Sequence, residues 1–215
     1  METRTAKIVL LGDGAVGKTS LVRRFVEQKF DDKYITTIGV NVKKKTLEDL
    51  DIKFMIWDIY GQKLNTELHA SNYSGAEGAI IVYDLTRKNT FENLDFWLKD
   101  LFSITGEIPF VVLGNKFDIL EEFRKDVGTV EENYKEFTDY IDENYEDVID
   151  YYQSVYDEMP SFKPVPSSDL WSWADKKGSE LDIDFSYFFS SAKTGENVEK
   201  AFNQLGKLIL KGDEE

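Results

Sequence analysis

The feature that most restricts what this chain can fold into is the octapeptide Gly12-Asp13-Gly14-Ala15-Val16-Gly17-Lys18-Thr19. It follows an apolar run at 6–11. It precedes Lys18–Glu27, where Leu21, Val22, Phe25 and Val26 fall on one helical stripe. Between a strand and a helix, the pattern G-x-x-x-x-G-K-[ST] turns backbone N–H groups inward at a helix N-terminus, whose partial positive charge favours an anion. Such a loop suits a polyphosphate: Lys18 would reach the β- and γ-phosphate oxygens, and the Thr19 hydroxyl would ligate Mg2+. Taken alone, the motif also fits a chance glycine-rich turn.

The pattern on either side extends this unit. Val40–Leu47 and residues 52–57 read as an antiparallel pair about Glu48-Asp49, after a polar, irregular stretch at 30–39. Strands at 79–83, 110–113 and Phe185–Phe189 alternate with helices at 90–102 and 198–210. Alternation of this kind predicts an α/β fold with a mostly parallel sheet covered on both faces. Ligands of such sheets bind beyond the carboxyl ends of the strands.

Three further motifs each follow a predicted strand. Asn115-Lys116-Phe117-Asp118 places a carboxylate that would accept two hydrogen bonds from the N1–H and amino group of guanine, a donor pair that adenine lacks. The same tetrapeptide also fits an ordinary polar loop. Trp57-Asp58-Ile59-Tyr60-Gly61-Gln62 supplies Asp58 for Mg2+, a Gly61 N–H for a γ-phosphate and Gln62 to orient an attacking water; a plain β-turn is the alternative. Ser191-Ala192-Lys193 would bring the Ala192 N–H to the guanine O6, or simply cap the last helix. Thr37 would give Mg2+ a second hydroxyl, and Phe30 would pack edge-on against the base. His69, the sole histidine, reads as a surface residue with no catalytic role.

Composition narrows the setting. There is no cysteine, so neither disulfide nor prenylated cysteine is expected; Gly is absent at position 2, and no apolar run is long enough for a membrane span. A cytoplasmic, lipid-free chain is expected. The net charge of −15 disfavours nucleic acid and anionic lipid as partners. The acidity is concentrated: residues 121–158 hold 14 Asp/Glu against 3 Lys/Arg, a net of −11. Apolar positions from Val130 to Val155 recur at gaps of three, four or seven, which predicts an amphipathic helix or helix pair ended by Pro160, Pro164 and Pro166. A short helix is expected to restart after Ser168.

In these motifs the chain resembles the Ras-like small GTPases, Rab-type members most closely. The matching stretches are 12–20, Tyr34-Ile35-Thr36-Thr37-Ile38-Gly39-Val40, Trp57-Asp58-x-x-Gly61-Gln62, 73–84, Asn115-Lys116-Phe117-Asp118 and Ser191-Ala192-Lys193. The resemblance implies a P-loop NTPase fold of six strands, formed as one domain over 1–215 with a helical insertion at 121–168. It implies GTP or GDP with Mg2+ as ligands and slow GTP hydrolysis. It also implies two nucleotide-sensitive loops, at about 30–40 and 58–73. Carried over residue by residue, nucleotide contacts fall on Asp13, Gly14, Ala15, Val16, Gly17, Lys18, Thr19, Ser20, Phe30, Tyr34, Thr37, Gly61, Asn115, Lys116, Asp118, Ser191, Ala192 and Lys193. Metal ligation falls on Thr19, Thr37 and Asp58, and catalysis on Gln62 and Lys18. A monomer served by an exchange factor, a GTPase-activating protein and effectors is expected.

Three departures stand out. Ile59-Tyr60 replaces the family's usual Thr-Ala, a terminal cysteine is absent, and the acidic insertion is far longer than the short helical one of Rho-type members. The alternative to a switch is a scaffold that holds guanine nucleotide without cycling and presents the acidic segment to a partner.

Overall fold

The computed structural model describes residues 3–31, 39–59, 66–127 and 165–213, without the side chains of 66–69 and 123–127. In chain order the elements are β1 (Arg4–Leu11), α1 (Lys18–Glu27), β2 (Val40–Leu47), a 3-10 turn (Glu48–Leu50), β3 (Ile52–Ile59) and α2 (Thr66–Tyr73). There follow β4 (Gly78–Asp84), α3 (Lys88–Glu92), α4 (Leu94–Thr105), β5 (Phe110–Asn115) and α5 (Phe117–Val127). Last come α6 (Ser167–Glu180), β6 (Phe185–Phe189) and α7 (Val198–Gly212).

The strands form one six-stranded sheet in the order β2-β3-β1-β4-β5-β6. β2 runs antiparallel to β3, and every other pairing is parallel. β4 is buried along its whole length, as a strand covered on both faces must be. Its alternate residues serve two cores. Ile80 and Val82 join Leu21, Val22 and Phe25 of α1 and Ala201, Phe202 and Leu205 of α7. Ala79, Ile81 and Tyr83 join Leu94, Trp97, Leu98 and Leu101 of α4, with Leu170 of α6. Across the first core the Phe25 and Phe202 rings stack with centroids 3.9 Å apart.

Register decides where the motifs meet. Leu10 lies beside Asp58 and Asp84 beside Asn115, so the carboxyl ends of β1, β3, β4 and β5 open on one rim.

The helices differ from expectation in three places. The helix expected at 90–102 is two, broken at Asn93 with φ −83° and ψ −2°. α2 occupies part of the stretch read as a loop. α5 begins inside the Asn115–Asp118 motif, so residues 121–127 of the expected insertion continue it. The amphipathic helix expected at 130–155 lies outside the described residues. The helix expected after Ser168 is α6. No helix among the described residues is long and apolar enough to cross a membrane.

Candidate functional site

The glycine-rich loop closes because two of its positions admit no side chain. Gly12 has φ +133°, and a Cβ there would lie 2.1 Å from the Val82 carbonyl oxygen; Gly17 has φ +98°, and a Cβ there would lie 2.2 Å from Asn115 Nδ2. Ala15 holds the left-handed region too, at φ 62°, which costs an L-residue about 1–2 kcal/mol. α1 then starts at Lys18 with no side-chain cap, so its first N–H groups face the loop. Uncapped N–H groups at a helix start attract an anion.

Lys18 is buried, and its Nζ donates to the carbonyls of Gly12 at 2.7 Å and Asp13 at 2.9 Å. Burial pulls its pKa down to about 8, against the attraction of Asp58 and Asp13 and with some help from Arg87. Thr19 Oγ1 donates to Asp58 Oδ2 at 2.6 Å. Asp58 is buried at the end of β3, and its other oxygen, Oδ1, has no hydrogen-bond partner among the described residues. Burial raises the Asp58 carboxyl above the usual range, against the Thr19 hydrogen bond and the Lys18 charge. A buried carboxylate oxygen without a donor, next to a hydroxyl, is a donor set that suits a hard divalent cation.

On the other side of the rim, Asn115 Nδ2 donates to the Val16 carbonyl at 2.8 Å, and its Oδ1 accepts from the Ala192 N–H at 3.1 Å. That N–H, expected on a base oxygen, is thus already held within the protein. Asp118 Oδ1 accepts from the Ser191 hydroxyl at 2.5 Å, and Lys193 Nζ stands 4.0 Å from Asp118 Oδ2. Lys116 adopts a left-handed φ of 71° and pairs with buried Asp84 at 2.6 Å. Burial alone would raise the Asp84 carboxyl; Lys116, Thr86 and Arg87 outweigh it and hold it below the usual range.

Several side chains that sequence reading passed over complete the frame. Arg24 of α1 donates to the carbonyls of Ala192, at 2.8 Å, and Lys193, with its guanidinium 6.0 Å from the ring of half-buried Phe30. Arg87 binds Asp84 Oδ2 at 2.8 Å and the Gly14 carbonyl at 3.0 Å. Asn93 and Trp97 both donate to the Asp13 carboxylate. The one sequence signal for these was the presence of Asp84 in the family-like stretch 73–84.

The structure therefore gathers Asp13, Gly14, Val16, Lys18, Thr19, Asp58, Asn115, Lys116, Asp118, Ser191, Ala192 and Lys193 on one rim. Ser20 follows in the first turn of α1, partly buried. Tyr34, Thr37, Gly61 and Gln62 lie outside the described residues, as do Tyr60 and the side chain of His69.

Comparison with known proteins identifies the family. The family model "Ras family" matches residues 7–161. Ras-related protein Rab-13 of Mesocricetus auratus is 32% identical over 207 residues, which cover 95% of this chain and 79% of that protein. Ras-related protein Rab7 of Pisum sativum is 32% identical over 216 residues, covering 97% and 84%. Ras-related protein Rab-18 of Lymnaea stagnalis is 43% identical over 129 residues, covering 58% and 64%. With its sheet order and motif-bearing rim, the chain thus belongs to the Ras family of small GTPases, among its Rab-type members, and is a GTP hydrolase.

Proposed function

We propose that the chain binds GTP and GDP with Mg2+ across this rim and hydrolyses GTP slowly to GDP and phosphate, as a two-state switch. The observation that carries this reading is the double hydrogen bond of Asn115, to Val16 in the phosphate loop and to Ala192 beyond β6. One buried side chain thereby ties the phosphate loop to the Ser191-Ala192-Lys193 segment.

Each residue has a role in this reading. The N–H groups from Asp13 to Ser20 surround the phosphates. The Lys18 ammonium has three donors; with the Gly12 and Asp13 carbonyls holding it, it reaches the β- and γ-oxygens with the remaining one, and the anion restores the charge that burial disfavours. Asp118 Oδ2 faces the guanine N1–H and amino group, while Ser191 holds Oδ1. Lys116 and Phe30 line the base, Lys193 sits beside Asp118, and the Ala192 N–H is shared between Asn115 and the base oxygen. Tyr34 borders the nucleotide from the first loop.

Thr19, Asp58 and, with GTP, Thr37 would hold Mg2+. Mg2+ neutralises charge on the β- and γ-oxygens when bound. Gln62 orients a water on the γ-phosphorus and the Gly61 N–H steadies a γ-oxygen. The water adds, the bond to the β–γ bridging oxygen breaks, and GDP, phosphate and a proton leave. No arginine lies in 30–39, so turnover alone is slow and rises about 10³–10⁵-fold with an activating protein.

The working protein is a cytoplasmic monomer served by exchange, activating and effector proteins, and 121–168 is an insertion within one domain. Ile59, which ends β3, and Tyr60 after it in the sequence favour a second reading, the non-cycling scaffold. Competition binding separates a guanine site from a general one. GDP is expected to outcompete ADP by at least about 10⁴-fold, with affinity falling when Mg2+ is chelated. Equal binding of ADP and GDP would sink the proposal.

A further inference from the structure

Asp13 is held from outside the phosphate loop. Asn93 Nδ2 donates to its Oδ2 at 2.7 Å, and Trp97 Nε1 donates to its Oδ1 at 2.8 Å. Both are charge-assisted, the stronger class of hydrogen bond. Asn93 sits at the break between α3 and α4, where the helix expected to run straight through is interrupted. Trp97 is buried in the α4 core, so its N–H has a fixed direction. The carbonyl of the same Asp13 accepts from Lys18 Nζ at 2.9 Å. A path of direct contacts thus runs from α4 through Asp13 to the lysine of the phosphate loop.

The element that grips Asp13 is itself braced by α6, which re-enters after the acidic segment. The Val165 N–H donates to the Leu85 carbonyl at 2.9 Å, and Lys88 pairs with Asp169 at 2.9 Å. Asp95, two residues before Trp97, accepts from Trp173 Nε1 at 2.9 Å and pairs with Lys177 at 3.2 Å.

We propose that Trp97 and Asn93 are positioning residues for the phosphates: they hold Asp13, and through it Lys18, in the geometry that receives the β-phosphate. The inference rests on the nucleotide site proposed above. The bland reading is that a buried tryptophan has merely found an acceptor for its N–H, and the two differ in which part of the nucleotide they affect. A loop held out of place weakens contacts to the β-phosphate. A general loosening of the fold weakens the base end as well.

The test measures GDP and GMP affinity on the full chain. Trp97→Phe keeps an aromatic ring and removes the donor. It is expected to weaken GDP about tenfold, the low end for a charge-assisted bond, and to leave GMP, which lacks the β-phosphate, within about twofold. Asn93→Ala is expected to act the same way, and it carries the test if Trp97→Phe does not fold, since Asn93 is only partly buried. In an Asp13→Ala background, Trp97→Phe is expected to add less than twofold, because the partner it acts through is gone. Equal weakening of GDP and GMP would overturn the inference. So would a full Trp97→Phe effect without Asp13, or unchanged GDP affinity in both single variants. Wild type without measurable GDP affinity would instead remove the nucleotide site itself, a distinguishable failure.

Discussion

Gly17→Ala probes the frame of the site at its tightest point. At φ +98° an alanine pays the left-handed penalty of about 1–2 kcal/mol. Its Cβ would also lie 2.2 Å from Asn115 Nδ2, so that carboxamide must withdraw. Withdrawal strands the Val16 carbonyl and the Ala192 N–H, both bonded to Asn115 in buried surroundings. Each stranded group costs about 1–3 kcal/mol. The sum is about 3–8 kcal/mol, so GDP affinity should fall by at least about 100-fold even if only the lower bound reaches the site. The assay is GDP affinity of Gly17→Ala, Asn115→Ala and the double variant. Once Asn115→Ala has already lost both hydrogen bonds and cleared the space, Gly17→Ala should add only its backbone cost, about 1–2 kcal/mol. GDP affinity within threefold of wild type in Gly17→Ala would refute the reasoning, as would strict additivity in the double variant.

Four further outcomes are expected. Lys18 has a folded-state pKa of about 8 against 10.5 when exposed, so between those values the unfolded chain holds more protons. Stability of the nucleotide-free protein should therefore rise with pH across that window. GDP binding must restore the proton, so affinity should fall by up to about tenfold per pH unit above pH 8; titrations from pH 7 to 10 would show a flat profile if Lys18 does not meet phosphate. Asp118→Ala should cut the preference for GTP over ATP by at least about 100-fold, read by competition binding, because a base donor pair loses its acceptor. Phe202→Ala removes a fully buried ring stacked on Phe25 and should cost about 3–5 kcal/mol, lowering Tm by roughly 6–20 °C at about 2–4 °C per kcal/mol.

Much of the sheet was legible because the apolar runs of β1, β4 and β5 adjoin or contain glycine, and because β4 lacks alternation altogether. The phosphate loop was legible for the same reason that it folds: Gly12 and Gly17 stand where a Cβ has no room. α5 was not. Its first turn, Phe117 to Leu120, reads as polar motif and apolar contact at once, and Phe117 and Leu120 pack inward only once β5 has placed them. The break at Asn93 was hidden because its side chain answers to Asp13, 80 positions away. Arg24, Arg87 and Trp97 likewise join the site through partners 168, 73 and 84 positions distant. Periodicity carries no information about such pairs, since the strand order must exist first. Asn115 was read as part of a base motif, while its tie to Val16 depends on the β1-β4-β5 adjacency.

The measurement that bears most directly on the central claim is single-turnover hydrolysis of GTP and ATP by wild type and Gln62→Leu, with Mg2+ present or chelated. The account predicts GTP-only, Mg2+-dependent turnover on the order of 10⁻² s⁻¹ or slower, falling further in Gln62→Leu. Turnover of ATP at the rate of GTP, or GTP turnover above about 1 s⁻¹ that ignores Gln62→Leu, would contradict it.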